Sequence, residues 1–312
     1  MIILYISIFL FLILLVLSSY LIRNLLYNKR KSAERLDSFN ERTFGIEWNT
    51  RINSWYEETS RNYFQIQSTY GYPLSCYEIK NDIKKYVIIL HGVTTNKEFV
   101  RKFAYLYHTL GYSVIAADSR YHGHSGGNNI TYGYYEKYDL QKIIDFIKKE
   151  RGSDTIIGLH GESMGASILL SYASMVDDNC DFYIADCPYA SLYDQVLNTL
   201  KTTLKTPVMI NKFILNFTNF ISKSFFGFDI RSIEIKDYIS RVNHPILFLN
   251  AKNDDYIPTS MSALLFEKCS GNNKEIHWFD TGYHAGSFNY QPDEYIAVVS
   301  DFIKKNISEP QN

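Results

Sequence analysis

The first 22 residues carry no charged side chain, and Ile2 to Leu17 is an almost unbroken run of Ile, Leu, Phe and Val. At a helical rise of about 1.5 Å per residue this stretch is roughly 33 Å long, enough for a hydrocarbon core of about 30 Å. Residues 23–60 are polar and aromatic with no clear period, and read as a juxtamembrane linker with a short helix around Trp55. From Asn62 to Thr69 the side chains alternate as on a half-buried strand. Tyr70-Gly71-Tyr72-Pro73 then turns the chain into a second strand, Leu74 to Lys80, which gives an antiparallel hairpin.

A different rhythm follows. Short apolar runs at 86–90, 113–117, 155–159, 182–185, 246–249 and 275–279 alternate with helical patterns near 96–110, 136–150, 164–175, 260–269 and 292–305. Fully apolar strands separated by helices predict a mostly parallel sheet covered on both faces. One stretch, at about 191–228, holds two amphipathic helical patterns and no strand. It is suited to cap the C-terminal edge of the sheet as a lid. No internal repeat is visible, so residues 61–308 are expected to form one α/β domain behind an N-terminal anchor at 1–22.

Charge sets the orientation of that anchor. Arg23, Lys29, Arg30, Lys31 and Arg35 all follow the apolar run and nothing basic precedes it, which predicts a cytoplasmic catalytic domain. The same cluster suits anionic headgroups. A cleaved signal peptide is the alternative, with Val16-Leu17-Ser18 as its cleavage site. It lacks the basic start that such peptides carry. The formal net charge of -1 removes the electrostatic case for nucleic acid as a partner. Cys76, Cys180, Cys187 and Cys269 form no CxxC pair and no zinc spacing, so four buried free thiols in a reducing compartment are expected. The 26 tyrosines are scattered; some are candidates to line an apolar groove.

The chemistry centres on Gly161-Glu162-Ser163-Met164-Gly165. An apolar strand ends just before it and a helix-forming run starts at Met164. In such a strand-to-helix turn the serine is held in strained geometry with its hydroxyl exposed. Small residues two before and two after it avoid a clash with neighbouring chain. The helix N-terminus is aimed at the same point.

With His160 and Ala166 flanking this motif, and His91-Gly92-Val93-Thr94 upstream, residues 62–306 resemble the α/β-hydrolase superfamily. Bacterial membrane-anchored esterase-like or peptidase-like members are the nearest in pattern. The anchor falls outside the catalytic fold in that comparison. The resemblance implies a Ser, acid, His order along the chain, with Ser163 as nucleophile. Of eight histidines, His284 alone lies after the strand at 275–279, in Thr281-Gly282-Tyr283-His284-Ala285-Gly286. His277 alternates within that strand and His244 precedes Pro245, so both read as structural. Asn253-Asp254-Asp255-Tyr256-Ile257-Pro258 offers two carboxylates. The family pattern, an aspartate four before the proline, selects Asp254 and leaves Asp255 as the alternative. The oxyanion donors implied are the amides of Val93 and Met164, with His91 supporting the loop.

Asp118 to Gly127 resembles the family's D-x-R-x-x-G-x-S supporting loop. His122 and His124 in it have no further ligand placed nearby, and no metal or cofactor is expected. The resulting expectation is hydrolysis of an acyl or lipid-like ester through an acyl-enzyme. A peptidase or acyltransferase on the same triad is one alternative, and an inactive membrane-tethered binding module is another. Substrate identity and oligomeric state are not legible in the sequence.

Overall fold

The computed structural model describes residues 1–28 and 33–307. Eight strands form one sheet in the order β1 (Asn62–Gln67), β2 (Pro73–Ile79), β4 (Tyr112–Ala117), β3 (Asp82–Leu90), β5 (Ile156–Glu162), β6 (Phe182–Asp186), β7 (Ile246–Ala251) and β8 (Lys274–Phe279). The first two strands are the expected hairpin, and β2 joins β4 antiparallel. Every later pairing is parallel. The central strands are buried on both faces, which is why their sequences read as apolar runs rather than alternations.

Two apolar layers sandwich the sheet. One contains Ile88, Ile115, Leu159 and Phe248 and packs beneath α4 (Glu136–Arg151) and α5 (Met164–Met175). The other contains Val87, Ile89, Val114 and Leu247 and packs beneath α3 (Arg101–Thr109) and α10 (Pro292–Asn306). The short helix α9 (Ser287–Tyr290) precedes α10, and α8 (Thr259–Lys268) lies between β7 and β8. The insertion folds as α6 (Leu192–Leu204) and α7 (Val208–Phe226). Ser191 caps α6 by accepting from the Asp194 amide.

The N-terminal region departs from the sequence reading in two ways. The apolar run forms one helix, α1 (Ile2–Leu26), longer than the expected 1–22 and apolar enough to cross a membrane. Its first half is exposed, but Ser18, Ile22 and Leu26 are buried against the domain. The segment is therefore not wholly outside the catalytic fold. Second, the stretch expected as a linker with a short helix around Trp55 is helical over all of Ala33–Glu58 (α2) except a break at Gly45, whose φ of 70° is left-handed. Ile52 and Tyr56 are buried in the second layer, and Trp55 meets Tyr105 of α3 edge-on. Trp48, Ile52 and Trp55 with Tyr56 do fall at helical spacing. The period is seen only once aromatic residues are counted as apolar. Of the basic cluster, Lys29, Arg30 and Lys31 lie outside the described residues, as does the side chain of Arg35.

Candidate active site

The parallel register sets where the loops meet. Leu90 lies beside Gly161, Glu162 beside Asp186, and Ala251 beside Phe279. The loops that leave β3, β5, β6, β7 and β8 therefore open on the same edge of the sheet. Ser163 sits at the first of these crossings with φ 56° and ψ −115°, a left-handed backbone costly for a residue with a Cβ. Its amide donates to the Asp186 carbonyl at 2.8 Å, which helps hold the turn. The flanking glycines are sterically required. A Cβ on Gly161 would stand 2.3 Å from the Gly165 carbonyl carbon, and one on Gly165 2.2 Å from the Leu90 oxygen. Thr94, Cys187 and Ala285, on neighbouring loops of this edge, also have positive φ.

The structure brings three of the sequence-selected side chains into one line. Ser163 Oγ is 2.8 Å from His284 Nε2, and His284 Nδ1 is 2.9 Å from Asp254 Oδ2. The other carboxylate oxygen, Oδ1, accepts from the amides of Tyr256 and Ile257 at 3.0 and 2.9 Å. With the Asp254 side chain enclosed and both oxygens engaged, its direction is fixed. Asp255 is exposed beside it. For Ser163 to donate to Nε2, the ring proton must sit on Nδ1, facing Asp254.

Five other histidines stand apart from this line. His277 pairs with Glu294 at 2.8 Å, and His244 sits beside Asp178. His91 accepts from the Ser119 amide through Nε2 at 2.9 Å, while its Nδ1 faces the Gly92 carbonyl at 2.7 Å. Burial keeps that ring neutral, lowering its pKa. His122 accepts from the Thr94 amide through Nε2 and turns Nδ1 to the Arg120 carbonyl, so both nitrogens support loops. His124 is exposed. Among the described residues, the group of His, Cys, Asp and Glu close enough to share a metal is Cys187, Asp254 and His284. The donor set does not suit an ion. Burial drives the Cys187 thiol pKa far up, with the charge of Asp186 adding to it, and the histidine and carboxylate already face each other.

A layer of buried polar groups supports the turn from below. Lys102 donates to Glu162 at 2.5 Å and to Asn289 at 3.0 Å, with both charged side chains almost fully enclosed. Tyr295 donates to Asp186 Oδ2 at 3.0 Å. Burial, with the charge of Glu162 adding to it, pushes the Asp186 carboxyl up to about 7. Between the loops that follow β3 and β4, Lys97 and Asp118 form a second enclosed ion pair at 2.6 Å.

Two cavities meet at Ser163. One, about 230 Å³, opens toward the helices and is bordered by Leu192, Val196 and Gln195 of α6, by Leu215 and Thr218 of α7, and by Leu21 and Leu25 of α1. The second, about 320 Å³, is bordered by His284, Thr94, Thr95 and Phe99. Val93, Tyr256 and Asn28 border both, and Met164 borders the first. Sequence reasoning placed two helices within 191–228, both of which the structure brings to the border of the first cavity. It missed Leu21, Asn24, Leu25, Asn28 and Gln195. Ser18, Asn24 and Asn28 were the available signal, since a helix serving only to span lipid has no need of them.

Comparison with known proteins bears on the fold and the family. Residues 85–206 match the family model described as alpha/beta hydrolase fold. A Bacillus subtilis protein, the uncharacterized protein YqkD, is 36% identical over 250 residues, covering 80% of this chain and 81% of the relative. Caffeoylshikimate esterase of Arabidopsis thaliana is 23% identical over 288 residues, covering 80% and 85%. Among solved structures, the Pyrococcus furiosus esterase Pf2001 superposes with a TM-score of 0.68 at 25% identity, covering 84% of this chain and 96% of that one.

Proposed function

Since the chain belongs to the α/β-hydrolase family, we propose that it is a serine esterase acting on an acyl ester through an acyl-enzyme on Ser163. The observation that carries the reading is the unbroken line from Ser163 Oγ through His284 to Asp254. In acylation, Ser163 Oγ attacks the ester carbonyl as His284 Nε2 takes its proton. The Val93 and Met164 amides receive the developing oxyanion, and His284 returns the proton to the departing alcohol. Water activated by the same ring then releases the acid. Asp254 holds the tautomer and stabilises the imidazolium.

The cavities orient the substrate. The group that protonates the leaving alcohol must stand next to it, and His284 borders only the second cavity. The alcohol therefore occupies that side, and the acyl chain occupies the apolar cavity between α1, α6 and α7. An apolar acyl site favours esters over peptides, whose amide groups would be left there without partners.

The anchor reading continues from the same features. Helix α1 is taken as a retained membrane span, because cleavage after Ser18 would remove the Ser18 that bonds Thr218 and the Phe11 that meets Phe217 of α7. The basic residues that follow it favour a cytoplasmic catalytic domain.

The test uses the full chain in detergent. p-Nitrophenyl esters should turn over and aminoacyl amides should not, and an alkyl fluorophosphonate should label Ser163. Ser163→Ala should abolish labelling and cut turnover by about 10⁵–10⁶, with circular dichroism unchanged. Near-normal turnover in that variant would remove the serine from the mechanism.

A further inference from the structure

We propose that the second half of α1 is part of the substrate site: Leu21 and Leu25, facing Leu215 and Thr218 of α7, form a wall along the acyl chain and set the chain length that reacts. The inference rests on the acyl cavity being the one between α1, α6 and α7, and goes beyond the anchor role.

A span that only crosses lipid needs no fixed relation to a catalytic serine. This one has such a relation at three points. Thr218 of α7 and Ser18 share a buried hydrogen bond of 3.0 Å between the two helices. The Ile130 amide donates to the Leu26 carbonyl at 2.9 Å. The Tyr132 hydroxyl donates to the Leu25 carbonyl, also at 2.9 Å, and Tyr132 itself borders the cavity. The last carbonyls of a helix have no partner within it, so their capture by the domain fixes both the depth and the rotation of α1.

The burial pattern gives the rotation. Ser18, Ile22 and Leu26, four residues apart, form the stripe packed on the domain. One step around the helix, Leu21 and Leu25 form a stripe that borders the cavity, joined by Asn24 and, just past the helix end, by Asn28. The N-terminal half is mostly exposed, with Phe11 meeting Phe217 of α7 edge-on, and Leu10 is 59% exposed. Asn28 borders both cavities, so the end of α1 reaches the junction where the ester bond would lie.

One polar group stands out on this side. Gln195 is buried and donates through Nε2 to the Tyr256 carbonyl at 3.0 Å, while its Oε1 has no partner. Asn24, Asn28, Thr199 and Thr218 also border the cavity, and Leu21, Leu25, Leu192, Val196 and Leu215 supply the apolar wall that a hydrocarbon requires.

The test compares p-nitrophenyl acetate with the decanoate on the full chain in detergent, scored as the ratio of kcat/KM values. Leu25→Trp should lower the decanoate-to-acetate ratio by about tenfold or more, and Leu25→Ala or Leu21→Ala should shift the preferred length upward. Leu10→Trp, on the exposed half, should leave the ratio as in the wild type. Identical ratios across all four variants would overturn the proposal. Labelling of Ser163 by a fluorophosphonate is followed in parallel. If the wild type is not labelled, the serine reading itself fails. If labelling holds while the ratios stay fixed, only the role of α1 fails. Should Leu25→Trp not fold, the two alanine variants decide.

Discussion

The two sides of Ser163 are built from opposite materials. Beneath it, enclosed charges and hydroxyls interlock: Lys102 with Glu162 and Asn289, and Tyr295 with Asp186. Above it, α6, α7 and the end of α1 present chiefly Leu and Val among a few uncharged polar side chains, and few hydrogen bonds cross between them. A buried polar network has one good arrangement, because each unpaired member is costly. Apolar side chains slide and repack at little cost. The floor is thus suited to hold reacting atoms to a fraction of an ångström, and the roof to accept chains of differing shape.

This contrast makes the largest effects those that touch the fixed line of side chains. Asp254→Asn should lower kcat by about 10⁴, since an amide would favour the wrong tautomer of His284, while Asp255→Asn should stay close to wild type. Steady-state rates of both variants on one ester decide it. A reversed ranking would move the acid to Asp255 and break the geometric reading.

Next in size is the floor itself. Lys102→Met leaves Glu162 enclosed without its cation and should destabilise the fold by about 3–5 kcal/mol. Pairing it with Glu162→Gln should restore much of the loss. Thermal unfolding of the detergent-solubilised chain measures both. A single variant as stable as the double would mean that the pair is not a coupled unit.

The smallest effect sharpens the comparison through pH. The Asp186 carboxyl is raised from its ordinary 3.8 to about 7 in the folded state, chiefly by burial. Between those values the folded chain binds more protons than the unfolded one. This group therefore favours folding fully below about pH 4, and that contribution falls away as pH rises through 7. Asp186→Asn should consequently gain in Tm relative to wild type on going from pH 5 to pH 8. A Tm difference independent of pH would show that the carboxyl is not protonated in the fold.

Most of the central sheet was legible because apolar runs of strand length between turn residues have few other uses. Ser163 was legible through a local steric requirement, two glycines about a strained turn. His284 and Asp254 needed more than local pattern. Their positions follow from strands β7 and β8 lying side by side, a pairing set by contacts far apart in sequence. A short helix around Trp55 was expected, but its full extent over residues 33–58 stayed hidden because Trp48, Trp55 and Tyr56 face other aromatic rings rather than an aliphatic core. The role of Leu21 and Leu25 was hidden for a different reason. In a run that is apolar on every side, no periodicity can separate the face that meets lipid from the face that meets protein.

The capture of the Leu25 and Leu26 carbonyls has a consequence for how such a chain can vary in length. One residue added before Ser18 lengthens the free end of the helix and leaves everything after it in phase. One residue added between Ser18 and Leu25 turns all that precedes it by about 100°. Ser18 would then no longer face Thr218. The apolar run is thus two segments under different rules: an outer one that can grow or shrink with the thickness of a bilayer, and an inner one counted residue by residue from the catalytic domain.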